Sequence, residues 1–161
     1  MITSLLWGAV LFLAFANGAN DNPKGVATLR GSGLAGSSTA ILWGTVWTLA
    51  GALFSIQFGR SLIALFNGQG LLQADTSGRP DFLLAVGLAA GGAVLFASRI
   101  GAPISTTHAL TGALVGTGWA AFGLDQLHLR ALGGKVVLPL LFSPFLSLGL
   151  TLLLFFFFAP L

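Results

Sequence analysis

Long apolar stretches alternate with short polar clusters along this chain of 161 residues. Four stretches of at least 20 residues contain no Asp, Glu, Lys or Arg, and a shorter one covers 82–98. A helix that crosses a bilayer needs about 20 apolar residues, with a range of about 17–25. Because the runs are continuous, they predict α-helices and not the alternating strands of a membrane barrel. The predicted helices lie at about 2–17, 34–58, 82–98, 103–123 and 136–158.

The composition indicates a protein that lies in a membrane. Hydrophobic residues make up 55% of the chain and charged residues only 7%, whereas a soluble domain has about 25% charged residues. So few charges cannot cover a surface that faces water. We therefore predict an all-α polytopic membrane protein of about five transmembrane helices, forming a single transmembrane domain over 1–161. We expect it in the lipid bilayer of a prokaryotic cell (inner) membrane.

Several other classes of protein are not supported. No basic residue precedes the first apolar run and no small-residue cleavage site follows it, so we do not expect a cleaved signal peptide. The chain has no cysteine, which removes disulfide and thiol chemistry. Its seven basic residues suit membrane orientation and do not indicate nucleic-acid binding. Neither metal-ligand spacing nor a nucleophile–base pair is present, so we do not expect an enzyme.

The first polar motif, "GANDNPKG" at 18–25, closes the first apolar run. A charge at the bilayer centre costs at least about 2.5–3.5 kcal/mol, so Asp21 and Lys24 need partners or water. Pro23 lacks a backbone N–H and disfavours a helical residue before it. The motif predicts a helix break at 18–25 that exposes polar backbone groups, as transporters use. The alternative is an ordinary interfacial turn.

The second polar motif, "GAPISTTH" at 101–108, puts three consecutive hydroxyl residues at the start of a predicted helix. A helix N-terminus presents free N–H groups and a positive dipole end to an anion. The motif therefore predicts a second helix break at 101–107 and an oxyanion site. The alternative is helix capping, with hydroxyls bonded back to their own helix. The candidates are Ser105, Thr106 and Thr107, with His108 either a proton relay or the partner of a neighbouring carbonyl.

Many of the 23 glycines lie inside the apolar runs. Small residues let transmembrane helices approach closely. We therefore predict close-packing faces at 87–94 ("GLAAGGAV") and 112–118 ("GALVGTG").

Together, "GAND" at 18–21 and "PISTTH" at 103–108 resemble the two signature motifs of the inorganic phosphate transporter (PiT) family. Further similarity lies in "GSG" at 31–33 and "KVVLPLLFSPFLS" at 135–147, so the resemblance runs along the whole chain. It implies secondary active transport of inorganic phosphate with sodium ions or protons. Some relatives carry sulfate. No cofactor is implied, apart from Na⁺ as a possible coupling ion.

The resemblance also implies roles for particular residues, and the chain departs from the family at two positions. Lys24 stands where the family has an asparagine, and Thr48 where it often has an acid. We hypothesise that Lys24 supplies a fixed positive charge, replacing part of what a bound sodium ion would provide. The resemblance implies the substrate-binding residues Asn20, Asp21, Ser105, Thr106 and Thr107, to which our hypothesis adds Lys24. The coupling-cation candidates are Asn20, Asp21, Thr28 and Thr107.

The family's usual architecture contains two inverted copies of such a unit, whereas each motif occurs once here. The sequence therefore predicts one inverted-repeat unit that needs a second copy of itself, in an antiparallel homodimer, or a homologous half. A truncated gene product is a further alternative. The functional alternatives are a permease for sulfate or another oxyanion, an uncoupled anion channel and a non-transporting assembly subunit.

Overall fold

The computed structural model describes residues 1–59 and 78–158, and every regular element in these ranges is a helix. The predicted all-α class is therefore confirmed. The long helices are α1 (Ile2–Gly25), α3 (Ser37–Phe58), α4 (Pro80–Arg99), α5 (Thr106–Phe122) and α7 (Leu138–Phe158). The short elements are α2 (Ala27–Gly31), a 3₁₀ turn (Leu124–Gln126), α6 (Leu129–Leu132) and a π-helical turn (Gly133–Val137).

Four of the described helices, α1, α3, α4 and α7, are long and apolar enough to cross a membrane. The chain is an integral membrane protein. All five predicted helices are present, but α5 has only 17 residues. At 1.5 Å per residue it is about 25 Å long, slightly less than the hydrocarbon core of about 30 Å.

The predicted helix break at 18–25 is wrong, because α1 continues through this range to Gly25. Pro23 lies in the last turn of α1, where Asp21 and Lys24 form an i,i+3 ion pair of 3.3 Å. Such pairs stabilise helical geometry and help to offset the backbone hydrogen bond that the proline removes. The chain leaves the helical path at Val26, with φ −114° and ψ 9°.

The second predicted break is confirmed over most of its length. Residues 101–105 are not helical, and Gly101 has a φ of +71°. A positive φ is costly for residues with a Cβ atom, so glycine suits this turn. Thr106 and Thr107, at the end of the predicted break, already lie in the first turn of α5.

Small residues bring α1 and α4 into close contact. A Cβ atom on Gly91 would lie 2.6 Å from Cε1 of Phe12, and one on Gly87 would lie 3.4 Å from Cβ of Ala9. Gly87, Ala90, Gly91 and Val94 are buried, which confirms the predicted close-packing face at 87–94. In the other predicted face, Gly118 is buried but Cβ atoms on Gly112 and Gly116 would meet nothing within 4 Å.

The chain divides into two compact units, Met1–Leu127 and His128–Leu161. The first unit contains α1 to α5. The second contains α6 and α7, and no described residue of α7 is buried. Since α7 is almost wholly apolar, this surface suits contact with lipid.

Candidate functional site

The polar end of α1 lies against the non-helical segment before α5. Hydrogen bonds there join residues that are 78 to 85 positions apart in the sequence. The two motifs singled out in the sequence therefore meet at one place. We call this place the polar cluster, and its members are Asn20, Asp21, Lys24, Ser98, Thr106 and the carbonyl group of Ile104.

The carboxylate of Asp21 links the two motifs. Its Oδ1 accepts hydrogen bonds from Nδ2 of Asn20 at 2.8 Å and from Nζ of Lys24 at 3.3 Å. Its Oδ2 accepts a hydrogen bond from Oγ1 of Thr106 at 3.2 Å. Asp21 thus connects the last turn of α1 with the first turn of α5, while 47% of its side chain remains exposed.

Asn20, the neighbour of Asp21 in the sequence, is only 7% exposed. Its amide nitrogen donates to Asp21 and, at 3.3 Å, to the carbonyl of Ile104. Its amide oxygen accepts from Oγ of Ser98 at 3.2 Å. Because both its amide nitrogen and its amide oxygen have partners, Asn20 joins the end of α1 to the end of α4 and to the non-helical segment before α5.

Lys24 completes the contact with the non-helical segment. Its ammonium donates to the carbonyl of Ile104 at 2.7 Å and to Asp21 at 3.3 Å, and its side chain is 49% exposed. That carbonyl can accept from two side chains because it lies before α5 and outside helical pairing. A carboxylate and an unwound carbonyl are the oxygen ligands with which transporters bind small cations.

The other hydroxyl residues of the second motif lie in different surroundings. Oγ of Ser105 caps α5 by accepting from the backbone N–H of His108 at 3.4 Å, which is the capping alternative for this residue. Thr107 lines a cleft of about 320 Å³ together with Asn17 and Thr106. The side chain of His108 is exposed.

Two further sequence candidates lie on other elements. Thr28 is on α2, beyond the bend at Val26, and within the described residues its exposed side chain makes no hydrogen bond to the polar cluster. Thr48 lines a cleft of about 440 Å³ with Asp21, Trp43 and Trp47. Thr48, which stands where the family often has an acid, thus lines the same cleft as Asp21.

A second polar contact joins α1 to α3. Nδ2 of Asn22 donates to Oγ1 of Thr45 at 2.7 Å, and Thr45 donates to the carbonyl of Ile41 at 2.8 Å. A Cβ atom on Gly44 would collide with Oδ1 of Asn22. This glycine therefore permits the close approach of the two helices.

The sequence did not lead us to three features: the hydroxyl of Ser98, the carbonyl of Ile104, and the contact between Asn22 and Thr45. Ser98 lies at the end of an apolar run, three residues before the second motif, and a lone hydroxyl beside a predicted break is the signal that could have found it. Ile104 acts through its backbone, so its side chain gives no such signal.

Comparison with known proteins places this geometry in context. A sequence profile described as the phosphate transporter family matches residues 17–161. The chain is 30% identical over 148 residues to a Pyrococcus abyssi protein named as a phosphate permease, covering 89% of this chain and 35% of that one. It is 32% identical over 149 residues to the chloroplastic inorganic phosphate transporter 2-1 of Arabidopsis thaliana, covering 89% of this chain and 24% of that one.

A Streptomyces halstedii protein named as a low-affinity inorganic phosphate transporter is 33% identical over 145 residues, covering 87% of this chain and 63% of that one. The chain thus spans between about a quarter and two thirds of the length of these relatives. No solved structure gives a significant match.

Proposed function

Since this chain belongs to the phosphate transporter family, we propose that it moves inorganic phosphate across the membrane by secondary active transport, coupled to Na⁺ or H⁺. Membership of the family confirms the resemblance carried by the two motifs. The observation that most supports the proposal is the bridge from Asp21 of the first motif to Thr106 of the second, at 3.2 Å. It gathers a carboxylate, an ammonium and a hydroxyl group at one end of α1.

The proposal gives the two sides of the cluster different tasks. The hydroxyl of Thr107 and the free amides at the start of α5 bind the oxyanion, and Lys24 adds positive charge. Thr106 joins them when its single hydroxyl proton turns from Asp21 to the ligand. Asp21 and Asn20 bind the coupling cation and hold Lys24 in place. Ser105 acts by capping α5, and Thr28 is left out because no described contact joins it to the cluster.

Uptake of radiolabelled phosphate into proteoliposomes that contain the full chain tests this proposal. We expect uptake to follow an imposed sodium or proton gradient and to exceed the uptake of protein-free liposomes. Unlabelled phosphate should compete more strongly than sulfate. Stronger competition by sulfate would instead indicate a permease for another oxyanion, and flux that follows voltage alone would indicate a channel. No uptake of either anion would contradict transport by this chain.

We further propose that a second, antiparallel copy covers the polar cluster. Asp21 and Lys24 are each about half exposed in one copy, and charged groups need protein or water around them wherever a chain enters the bilayer. An inverted second copy would bring a second such cluster to a shared site.

Labelling of a single introduced cysteine tests the antiparallel arrangement. The natural chain has no cysteine, so Ser32→Cys places one thiol in the exposed segment after α2. In intact cells, an impermeant maleimide should label about half of the copies if they insert in both orientations. Lysed cells provide the control for complete labelling. Labelling of all or none of the copies would contradict the antiparallel homodimer and favour a homologous half as the partner.

A further inference from the structure

We infer that the ammonium of Lys24 is a built-in cation that occupies the position a free sodium ion would take, so that this site works without sodium. The inference rests on the proposed function and narrows it, because it leaves the proton as the coupling ion. It concerns one group, Nζ of Lys24, and two oxygen atoms that hold it.

The contacts of Nζ are those that a small monovalent cation would make. It lies 2.7 Å from the carbonyl oxygen of Ile104 and 3.3 Å from Oδ1 of Asp21. Carbonyl oxygens freed by a broken helix, together with acidic side chains, are typical ligands of coupling ions in transporters. The carboxylate of Asp21 is therefore already paired with a positive charge, and both oxygens already accept a hydrogen bond from the protein itself.

A free sodium ion would have to displace this ammonium, and the covalent link makes that unfavourable. Lys24 lies three residues after Asp21 on the same helix, so its ammonium is present at a high effective concentration. Sodium must be recruited from solution. A displaced ammonium would also lose its carboxylate partner in the membrane, where an unpaired charge is costly.

The same ammonium remains available to an oxyanion. A lysine ammonium has three N–H donors, and two of them are used by Ile104 and Asp21. The side chain is 49% exposed, and the third donor can therefore reach a ligand. Lys24 thus neutralises Asp21 and offers charge to phosphate at once, as a bound cation would.

Sodium titration of the purified full-length chain tests the inference without any need for phosphate. Trp43 and Trp47 line the cleft that also contains Asp21, so tryptophan fluorescence is a suitable signal, with choline as the reference cation. The wild-type protein should show no specific response to sodium. Lys24→Asn should show one, because the shorter neutral side chain frees both oxygens.

Phosphate affinities measured in sodium and in choline show whether the binding of sodium and the binding of phosphate are coupled. In Lys24→Asn we expect phosphate affinity to be roughly tenfold higher in sodium than in choline, a common size of coupling between two ligands. In the wild-type protein the two affinities should be equal. Lys24→Arg keeps the charge, and Arg130→Asn removes an equal charge from the exposed surface of the second unit. Both variants should remain indifferent to sodium.

A specific sodium response of the wild-type protein would overturn the inference, whatever the variants do. So would a folded Lys24→Asn protein that ignores sodium. If this variant does not fold, as judged by circular dichroism, Lys24→Gln replaces it and the wild-type titration still decides. Absence of phosphate uptake under either gradient, with the sodium results as expected, would contradict the proposed function and leave the assignment of Lys24 intact.

Discussion

Replacement of Asp21 by Asn is expected to reduce phosphate uptake by at least about thirtyfold while the helices remain folded. The carboxylate accepts from Asn20, Lys24 and Thr106, and a neutral amide leaves Lys24 without a counter-charge. Breaking a buried ion pair costs about 3–5 kcal/mol, and we discount this to about 2 kcal/mol because both side chains are half exposed. That energy corresponds to a factor of about 30 in binding.

The proteoliposome uptake assay provides the measurement for this variant. Asp125→Asn is the matched control, because it makes the same chemical change at an exposed residue in the 3₁₀ turn after α5. It should keep wild-type uptake. Normal uptake by Asp21→Asn would mean that the polar cluster is not the transport site.

Replacement of Asn20 by Asp is expected to lower stability by about 3 kcal/mol. The change removes the donations to Asp21 and to the carbonyl of Ile104. It also puts a second carboxyl group at a 7% exposed position beside Asp21, where two adjacent like charges repel each other. The midpoint of thermal unfolding in detergent should fall by about 6–12 °C.

Ser98→Ala serves as the graded comparison for Asn20→Asp. It deletes only the hydroxyl whose single proton is shared between Oδ1 of Asn20 at 3.2 Å and the carbonyl of Val94 at 2.8 Å, so a loss of about 1 kcal/mol is expected. Equal midpoints for the two variants would show that the buried amide does not organise the cluster.

The length and polarity of the apolar runs were sufficient to predict the helices. The run at 82–98 became α4 at Pro80–Arg99, and the run at 136–158 became α7 at Leu138–Phe158. The end of α1 was placed too early, because Pro23 and its polar neighbours outweigh the apolar pattern in a local reading. The Asp21–Lys24 ion pair within this turn and the contacts to Ile104 and Thr106 support its helical form. The contacts to Ile104 and Thr106 join residues about 80 positions apart and are not visible in a local pattern.

The membership of the site was predicted in part. Asn20, Asp21, Lys24 and Thr106 were chosen from the chemistry of the two motifs and from the family resemblance, and the structure brings them together. The carbonyl of Ile104 was missed because every residue type has one. The contact of Asn22 with α3 was missed because it depends on the space that Gly44 leaves between the two helices. That space exists only once α1 and α3 have packed together, so neither segment shows it in its own sequence. The functional roles of these residues stay predictions.

The long sequence separation within the polar cluster has a consequence for the synthesis of the protein and its insertion into the membrane. The partners of α1 in this cluster follow it by 78 to 85 residues. At a synthesis rate of roughly 5–20 residues per second, they emerge about 4–17 s after the groups that need them. During that interval the amide of Asn20, the carboxylate of Asp21 and the ammonium of Lys24 must stay at the water boundary or in contact with the insertion machinery. We therefore expect α1 to reach its final position in the bilayer only after α4 and the start of α5 have been synthesised.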